Sequence, residues 1–242
     1  MRILLLDIET CPNLAYVWGK FEQDVIDYQS EWHILSFCCK WLGGKTIVKA
    51  LPDYPLYKKN KENDRELAQE LWTYLNEADV VIGHNLAEFD TKKANTRFIE
   101  HGLLPPSGYQ MVDTLKVAQK YFAFNSNKLD DLGKRLNVGR KVKHSGFELW
   151  LGCIKGDPVA WKKMKKYNRG DVLLLERIYL RLLPWIENPP NLSFSEKCPK
   201  CQVGTLQKRG FGLTRTGRYQ RLQCQNCGSW SRNQHEKLTN IR

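Results

Sequence analysis

The sequence predicts an α/β domain built on a mixed sheet, followed by a small C-terminal ribbon held by metal. Three observations carry this. A hairpin of apolar strands comes first, and strands then alternate with amphipathic helices. Pro184, Pro189 and Pro190 end the helical region. Beyond them lie two Cys-x-x-Cys pairs, in a segment too short to bury a core unaided.

Each element has a local reason. Ile3-Leu4-Leu5-Leu6 is a buried strand running to Asp7-Ile8-Glu9. His33 to Leu42 and Lys45 to Leu51 flank Gly43-Gly44, the signature of a hairpin. Leu67, Leu71 and Leu75, four apart, predict a helix over residues 63–76. Asp79-Val80-Val81-Ile82-Gly83 is a short buried strand, and Phe89 to His101 a helix closed by Gly102. Gln110 to Leu115 is a further strand, leading into a helix through Ala118 and Tyr121. Asn127 is expected to cap a helix carrying Leu129, Leu132 and Leu136. Asp157-Pro158 starts a long helix reaching Leu183, with Gly170 as an expected interruption. Pro189-Pro190 followed by Asn191-Leu192-Ser193 reads as a linker, which places the domains at residues 1–188 and 189–242.

Charge narrows the function class. Of the formal +12, residues 191–242 hold ten Lys/Arg against two Asp/Glu, leaving only +4 for residues 1–190. A basic tail on a nearly balanced body points to a polyanionic partner, most simply nucleic acid. No run approaches the ~18 apolar residues of a membrane span. The amino terminus meets Asp7 before a signal-like apolar region is complete, so a cytoplasmic protein is expected. Cys11, Cys38, Cys39 and Cys153 are scattered and read as free thiols.

Chemistry concentrates in acidic residues. Asp7 and Glu9, two apart on a strand, point to one face of its end. Two crowded carboxylates are costly unless a cation neutralises them, and hard oxygen ligands suit Mg²⁺ or Mn²⁺. Asp90 follows the strand ending at Gly83, where ligands gather in α/β folds. Tyr167 and Asp171 lie one turn apart on the late helix and reach one site. Lys162, Lys163, Lys165 and Lys166 precede that tyrosine, and suit either phosphate tracking or a solvated helix face.

Asp-x-Glu at Asp7 and Glu9, Asn-x-x-x-Phe-Asp from Asn85 to Asp90, and Tyr-x-x-x-Asp from Tyr167 to Asp171 resemble the three motifs of the DEDD 3′→5′ exonuclease superfamily. The tyrosine fits its tyrosine subgroup, and Lys166 stands where the other subgroup carries histidine. The chain looks closest to the stand-alone enzymes of phage and bacterial genomes, over residues 1–185. Val112-Asp113-Thr114-Leu115 also resembles a segment of that family, though Asp113 has no catalytic counterpart.

The resemblance implies an RNase H-like fold and two-metal phosphodiester hydrolysis with two Mg²⁺ or Mn²⁺. It implies that Asp7 bridges both ions, that Glu9 and Asp171 help hold the one activating water, and that Asp90 serves the other, largely through water. Tyr167 orients the attacking water. Thr10 and Cys11 offer backbone amides to the terminal nucleotide, and Asn85 contacts substrate. His84 is read as structural. The expected substrate is single-stranded DNA at its 3′ end, with RNA as a rival. A replication or repair protein is a candidate partner. In another class altogether, the chain is a catalytically silent zinc-ribbon adaptor for nucleic acid.

In the tail, Cys198-x-x-Cys201 and Cys224-x-x-Cys227-Gly228 form two knuckles across a 22-residue hairpin, the pattern of a structural Cys₄ zinc ribbon. Arg209, Arg215, Arg218 and Arg221 interleave with Phe211 and Tyr219 between them, a composition suited to gripping a nucleic-acid strand, with protein docking as the alternative.

Overall fold

In this computed structural model, the described residues are 2–21, 24–186, 197–214 and 217–232. The linker around Pro189 and Pro190, the expected boundary at residue 188, and Arg215 lie outside them. The chain divides into two compact units, Met1–Ile178 and Tyr179–Arg242.

The first unit is organised by a five-stranded sheet in the order β5-β4-β1-β6-β7. It comprises β1 (Ile3–Thr10), β4 (Ile34–Trp41), β5 (Thr46–Ala50), β6 (Val80–Gly83) and β7 (Gln110–Asp113). β4 is antiparallel to both β1 and β5, whereas β1, β6 and β7 are mutually parallel, giving the mixed RNase H-like sheet. A short hairpin, β2 (Leu14–Tyr16) and β3 (Asp27–Ser30), emerges from the end of β1.

Helices cover the sheet. α1 (Pro55–Lys59) and α2 (Arg65–Asn76) follow β5, and α3 (Asp90–Glu100) follows β6. α4 (Thr114–Tyr121), α5 (Leu129–Arg135) and α6 (Phe147–Lys155) lead to α7 (Pro158–Leu182). Strand alternation sorts β1 into two faces. Leu4, Leu6 and Ile8 join a core with Phe37, Leu67, Leu71, Ala94 and Phe98. Leu5, Asp7 and Glu9 take the other face. There Asn168 of α7 bonds Asp7 and Ser36, and Glu176 pairs with Lys40 of β4.

A buried carboxylate ties the first face together. Asp64 accepts from the Ile34 amide at 2.8 Å and from Arg97 Nη2 at 2.6 Å, and meets His101 Nε2 at 2.6 Å. These bonds outweigh the opposing effect of burial and hold its pKa below the usual value.

Three local expectations change. Gly170 does not interrupt α7: a Cβ there would come within 2.6 Å of Val142 Cγ2, so glycine lets the α5–α6 loop pack onto the helix. Asn127 does not cap α5; Lys128 is the cap residue, and Asn127 Oδ1 is buried without a hydrogen-bond partner. The strand expected to reach Leu115 ends at Asp113, because that carboxylate accepts from the Leu115 amide at 3.0 Å and starts α4. Asp157 does act as expected, accepting from Val159 N at 2.9 Å at the start of α7.

The second unit contains β8 (Leu206–Thr214), β9 (Gly217–Cys224) and β10 (Trp230–Arg232), an antiparallel sheet ordered β10-β9-β8. A bulge between Lys208 and Phe211 puts Arg209 out of register. Lys200 Nζ donates to the carbonyls of Pro184 at 3.0 Å and Ile186 at 2.6 Å, anchoring the first knuckle.

Candidate active site and metal centres

β1 outruns its parallel neighbour, since pairing with β6 ends at Leu5 opposite Ile82. Its carboxyl end therefore extends past β6 as a ledge carrying Asp7 and Glu9, while its other edge stays paired with β4. A register shift between Glu9 and Thr10 bends the strand there. α7 crosses beneath and supplies Asp171 from the same helical face as Tyr167. Carboxylate oxygens of Asp7, Glu9 and Asp171 all lie within 4.8 Å of one another, close enough for one cation.

Asp90 takes a different place. Fully buried at the start of α3, it accepts the Ile8 amide at 2.9 Å through Oδ1 and stands outside the three-carboxylate group. Its bond fixes the strand segment between Asp7 and Glu9.

Crowding shows in the acid strengths. Burial, then the neighbouring Asp171 charge, pushes Asp7 up to about 7. Burial followed by Asp7 and Asp171 raises Glu9 well above its ordinary value, and burial followed by Asp7 does the same for Asp90. Burial also raises Asp171, whose Oδ1 is buried without a hydrogen-bond partner. An orphaned oxygen beside two more carboxylates is a donor set that fits a hard divalent cation.

Lys141, in the α5–α6 loop, supplies one positive charge. Its Nζ lies 2.6 Å from Asp171 Oδ2 and donates to Tyr167 Oη at 2.8 Å. Burial, then Asp171 and Glu9, raises the Tyr167 pKa, so the phenol remains protonated at neutral pH. The rings of His144 and Trp150 meet the tyrosine edge-on at 4.6 and 5.9 Å, fixing its plane. Asn168 donates through Nδ2 to the Asp7 carboxylate and, at 3.2 Å, to its backbone carbonyl.

The sequence reading did not single out Lys141, His144 or Asn168. Asn168 adjoins Tyr167 on α7, but its bonds to Ser36 and Asp7 are tertiary contacts that no local pattern signals. No spacing rule reaches the lysine, which arrives through the Gly170–Val142 contact.

The expected substrate contacts are placed unevenly. The Cys11 amide donates to the His33 carbonyl at 3.1 Å, and its thiol contacts His33 Nδ1 at 3.2 Å, so this amide is already occupied. Thr10 ends β1, half-buried. Asn85 has φ 67°, held by its amide donating to Asp113 Oδ1 at 2.9 Å. His84 contacts Thr114 Oγ1 at 2.9 Å and is held neutral by burial, a structural position.

In the second unit, the sulfurs of Cys198, Cys201, Cys224 and Cys227 also fall within 4.8 Å of one another. Cys198 and Cys227 are 3.8 Å apart, and Cys201 and Cys224 3.6 Å. Tetrahedral ligands at ~2.3 Å from zinc would stand about 3.8 Å apart, so the spacing fits. Amides of Lys200 and Asn226 approach sulfur at 3.4 Å, and Gly204 passes so near Cys224 that any Cβ would clash with its sulfur. Burial raises the Cys201 thiol, but the amides of Val203 and Gly204 overcome it and bring the group down to about 6, favouring the thiolate a metal requires. On the sheet, Arg218 stacks over Phe211 at 3.6 Å, Arg232 over Tyr219 at 5.3 Å and Arg221 over Trp230 at 5.4 Å.

Among the described residues, no helix is long and apolar enough to cross a membrane. A family model, RNase_H_2, described as RNase_H superfamily, matches residues 22–183. That span holds Asp90, Tyr167 and Asp171 and begins after Asp7 and Glu9. No curated protein matches the chain. Among solved structures, the chain is similar to the family B DNA polymerase from the hyperthermophilic archaeon Pyrobaculum calidifontis, with a TM-score of 0.57 and 17% identity over 76% of this chain. It spans only 25% of that polymerase's length.

Proposed function

The chain belongs to the RNase H superfamily, and from that premise we propose that it is a metal-dependent 3′→5′ exonuclease acting on single-stranded DNA. The observation that carries this reading is the three-carboxylate group of Asp7, Glu9 and Asp171, set one helical turn from a protonated tyrosine. Asp7, Glu9 and Asp171 would hold the divalent ions, with Asp90 completing the acidic set. Two such ions would neutralise the phosphate and acidify water for in-line attack on phosphorus.

The remaining residues orient. Tyr167, protonated and hydrogen-bonded to Lys141, directs the attacking water rather than deprotonating it. Asn168 clamps Asp7 from the helix side, and the Asp90–Ile8 bond holds the ledge from the other. The Cys₄ group would hold one structural zinc. The arginine–aromatic stacks of the ribbon support nucleic acid as its partner, since arginines can pair with phosphates while aromatic faces accept bases.

Oligonucleotides labelled at either end, DNA and RNA, incubated with Mg²⁺ or EDTA, test the reading. A 5′ label should appear on a ladder shortening one nucleotide at a time, only with metal. A 3′ label should leave at once as mononucleotide. Internal cuts without trimming, or no hydrolysis with Mg²⁺ or Mn²⁺, would overturn it. Faster trimming of RNA would reassign the substrate.

A further inference from the structure

The lysine run before Tyr167 is divided by the fold. Lys165 pairs with Asp53, and Lys162 lines a separate cavity with Tyr57 and Trp161. Lys163 and Lys166 instead face a cavity of about 410 Å³ with Lys143, His144, Ser145 and Tyr167. No carboxylate lines it, and among the described residues none of these three lysines has an acidic partner. Lys163, Lys166 and Tyr167 share a helical face, as do Tyr167 and Asp171. One stripe of α7 thus runs from cationic cavity to acidic cluster, with Lys163 about 6 Å of helical rise before the tyrosine.

We propose that this cavity is a subsite for a backbone phosphate of the substrate strand, on the 5′ side of the scissile linkage. The inference rests on the 3′→5′ reading above, and the chemistry of that reaction fixes the side. When the scissile phosphate lies at the carboxylates, only the terminal nucleoside remains 3′ of it, and that nucleoside carries no further phosphate. Any second phosphate near the site therefore belongs to the 5′ portion. Three ammonium groups around one cavity, adjoining the rigid ring of Tyr167, hold that phosphate and set the strand's register against the ledge. Lys163 and Lys166 contact the strand directly, and their effect falls on binding.

Steady-state trimming of a 5′-labelled DNA oligonucleotide with Mg²⁺ tests this in full-length protein. Lys163→Ala/Lys166→Ala is compared with wild type and with Lys165→Ala, a control lysine of the same helix. Loss of one phosphate contact makes the salt dependence of KM shallower by about 0.7 in logarithmic slope, which is about fivefold in KM at 0.1 M salt, fading near 1 M. kcat should stay within about twofold. A neutral methylphosphonate is then moved along the linkages 5′ of the scissile one. In wild type one position should raise KM about fivefold, and in the double variant the same replacement should cost less than about twofold.

A double variant that matches Lys165→Ala in KM and salt slope would overturn the subsite. So would a methylphosphonate penalty of equal size in wild type and variant. If wild type shows no 3′ trimming, it is the exonuclease reading that fails. Wild-type trimming with an unchanged double variant removes the subsite alone.

Discussion

Lys141→Met offers a sensitive probe of the acidic cluster, because the lysine and a bound divalent ion answer the same electrostatic need. In metal-free protein, the ammonium lies 2.6 Å from Asp171, and its charge also opposes the upward pKa shifts of Asp7 and Glu9. Asp171 is 1% exposed, so removing its partner leaves a buried charge unpaired. Such removal costs about 3 to 5 kcal/mol, and the lower end applies because a carboxylate whose pKa is already raised can take up a proton instead. At about 2–4 °C per kcal/mol for a chain of this size, the variant should melt roughly 6–12 °C lower in EDTA. With saturating Mn²⁺, ions replace the lost charge and the difference should shrink below about 3 °C. Circular dichroism melts of both proteins, with and without Mn²⁺, measure it. An equal loss in EDTA and Mn²⁺ would refute the idea that the carboxylates hold metal.

Other consequences follow from the same structure. Asp7 has a folded pKa near 7, above its unfolded value, so the metal-free native state binds more protons and its stability should fall as pH rises from about 4 through about 7; saturating Mg²⁺ should flatten that decline in urea melts. Asp64 has the opposite sign: its depressed pKa contributes stability above about pH 4 that is lost as pH falls further. Asp64→Asn should cost about 3–5 kcal/mol by urea unfolding at pH 7, and a cost below about 1 kcal/mol would mean that the Arg97–His101 network is not structural. Cys224→Ser should lose the single zinc detected by elemental analysis, while trimming of short oligonucleotides persists.

Much of this was legible because it depends on short-range pattern. Continuous apolar runs gave β1, β4 and β6, and four-residue leucine spacing gave α2. Asp7 with Glu9, and Tyr167 with Asp171, follow from the two- and four-residue periods of strand and helix. The β2–β3 hairpin was missed because its Leu14, Tyr16, Trp18 and Phe21 are exposed, so burial did not impose a strand pattern. α1 and α6 are five and nine residues long, too short to build a strong period. Lys141 was invisible for a different reason: it stands 30 residues from Asp171, on a loop placed by tertiary packing at Gly170. Asn127 shows the converse, a favourable cap residue overridden by its surroundings.

The most direct measurement is the rate at which Asp7→Ala trims a 5′-labelled DNA oligonucleotide with Mg²⁺, set beside a melt showing that the variant is folded. Asp7 belongs to the three-carboxylate group and is clamped by Asn168, so its loss should remove several kcal/mol of transition-state stabilisation. Turnover should drop by about three orders of magnitude or more while the fold survives. A folded Asp7→Ala protein that trims at close to the wild-type rate would contradict the account.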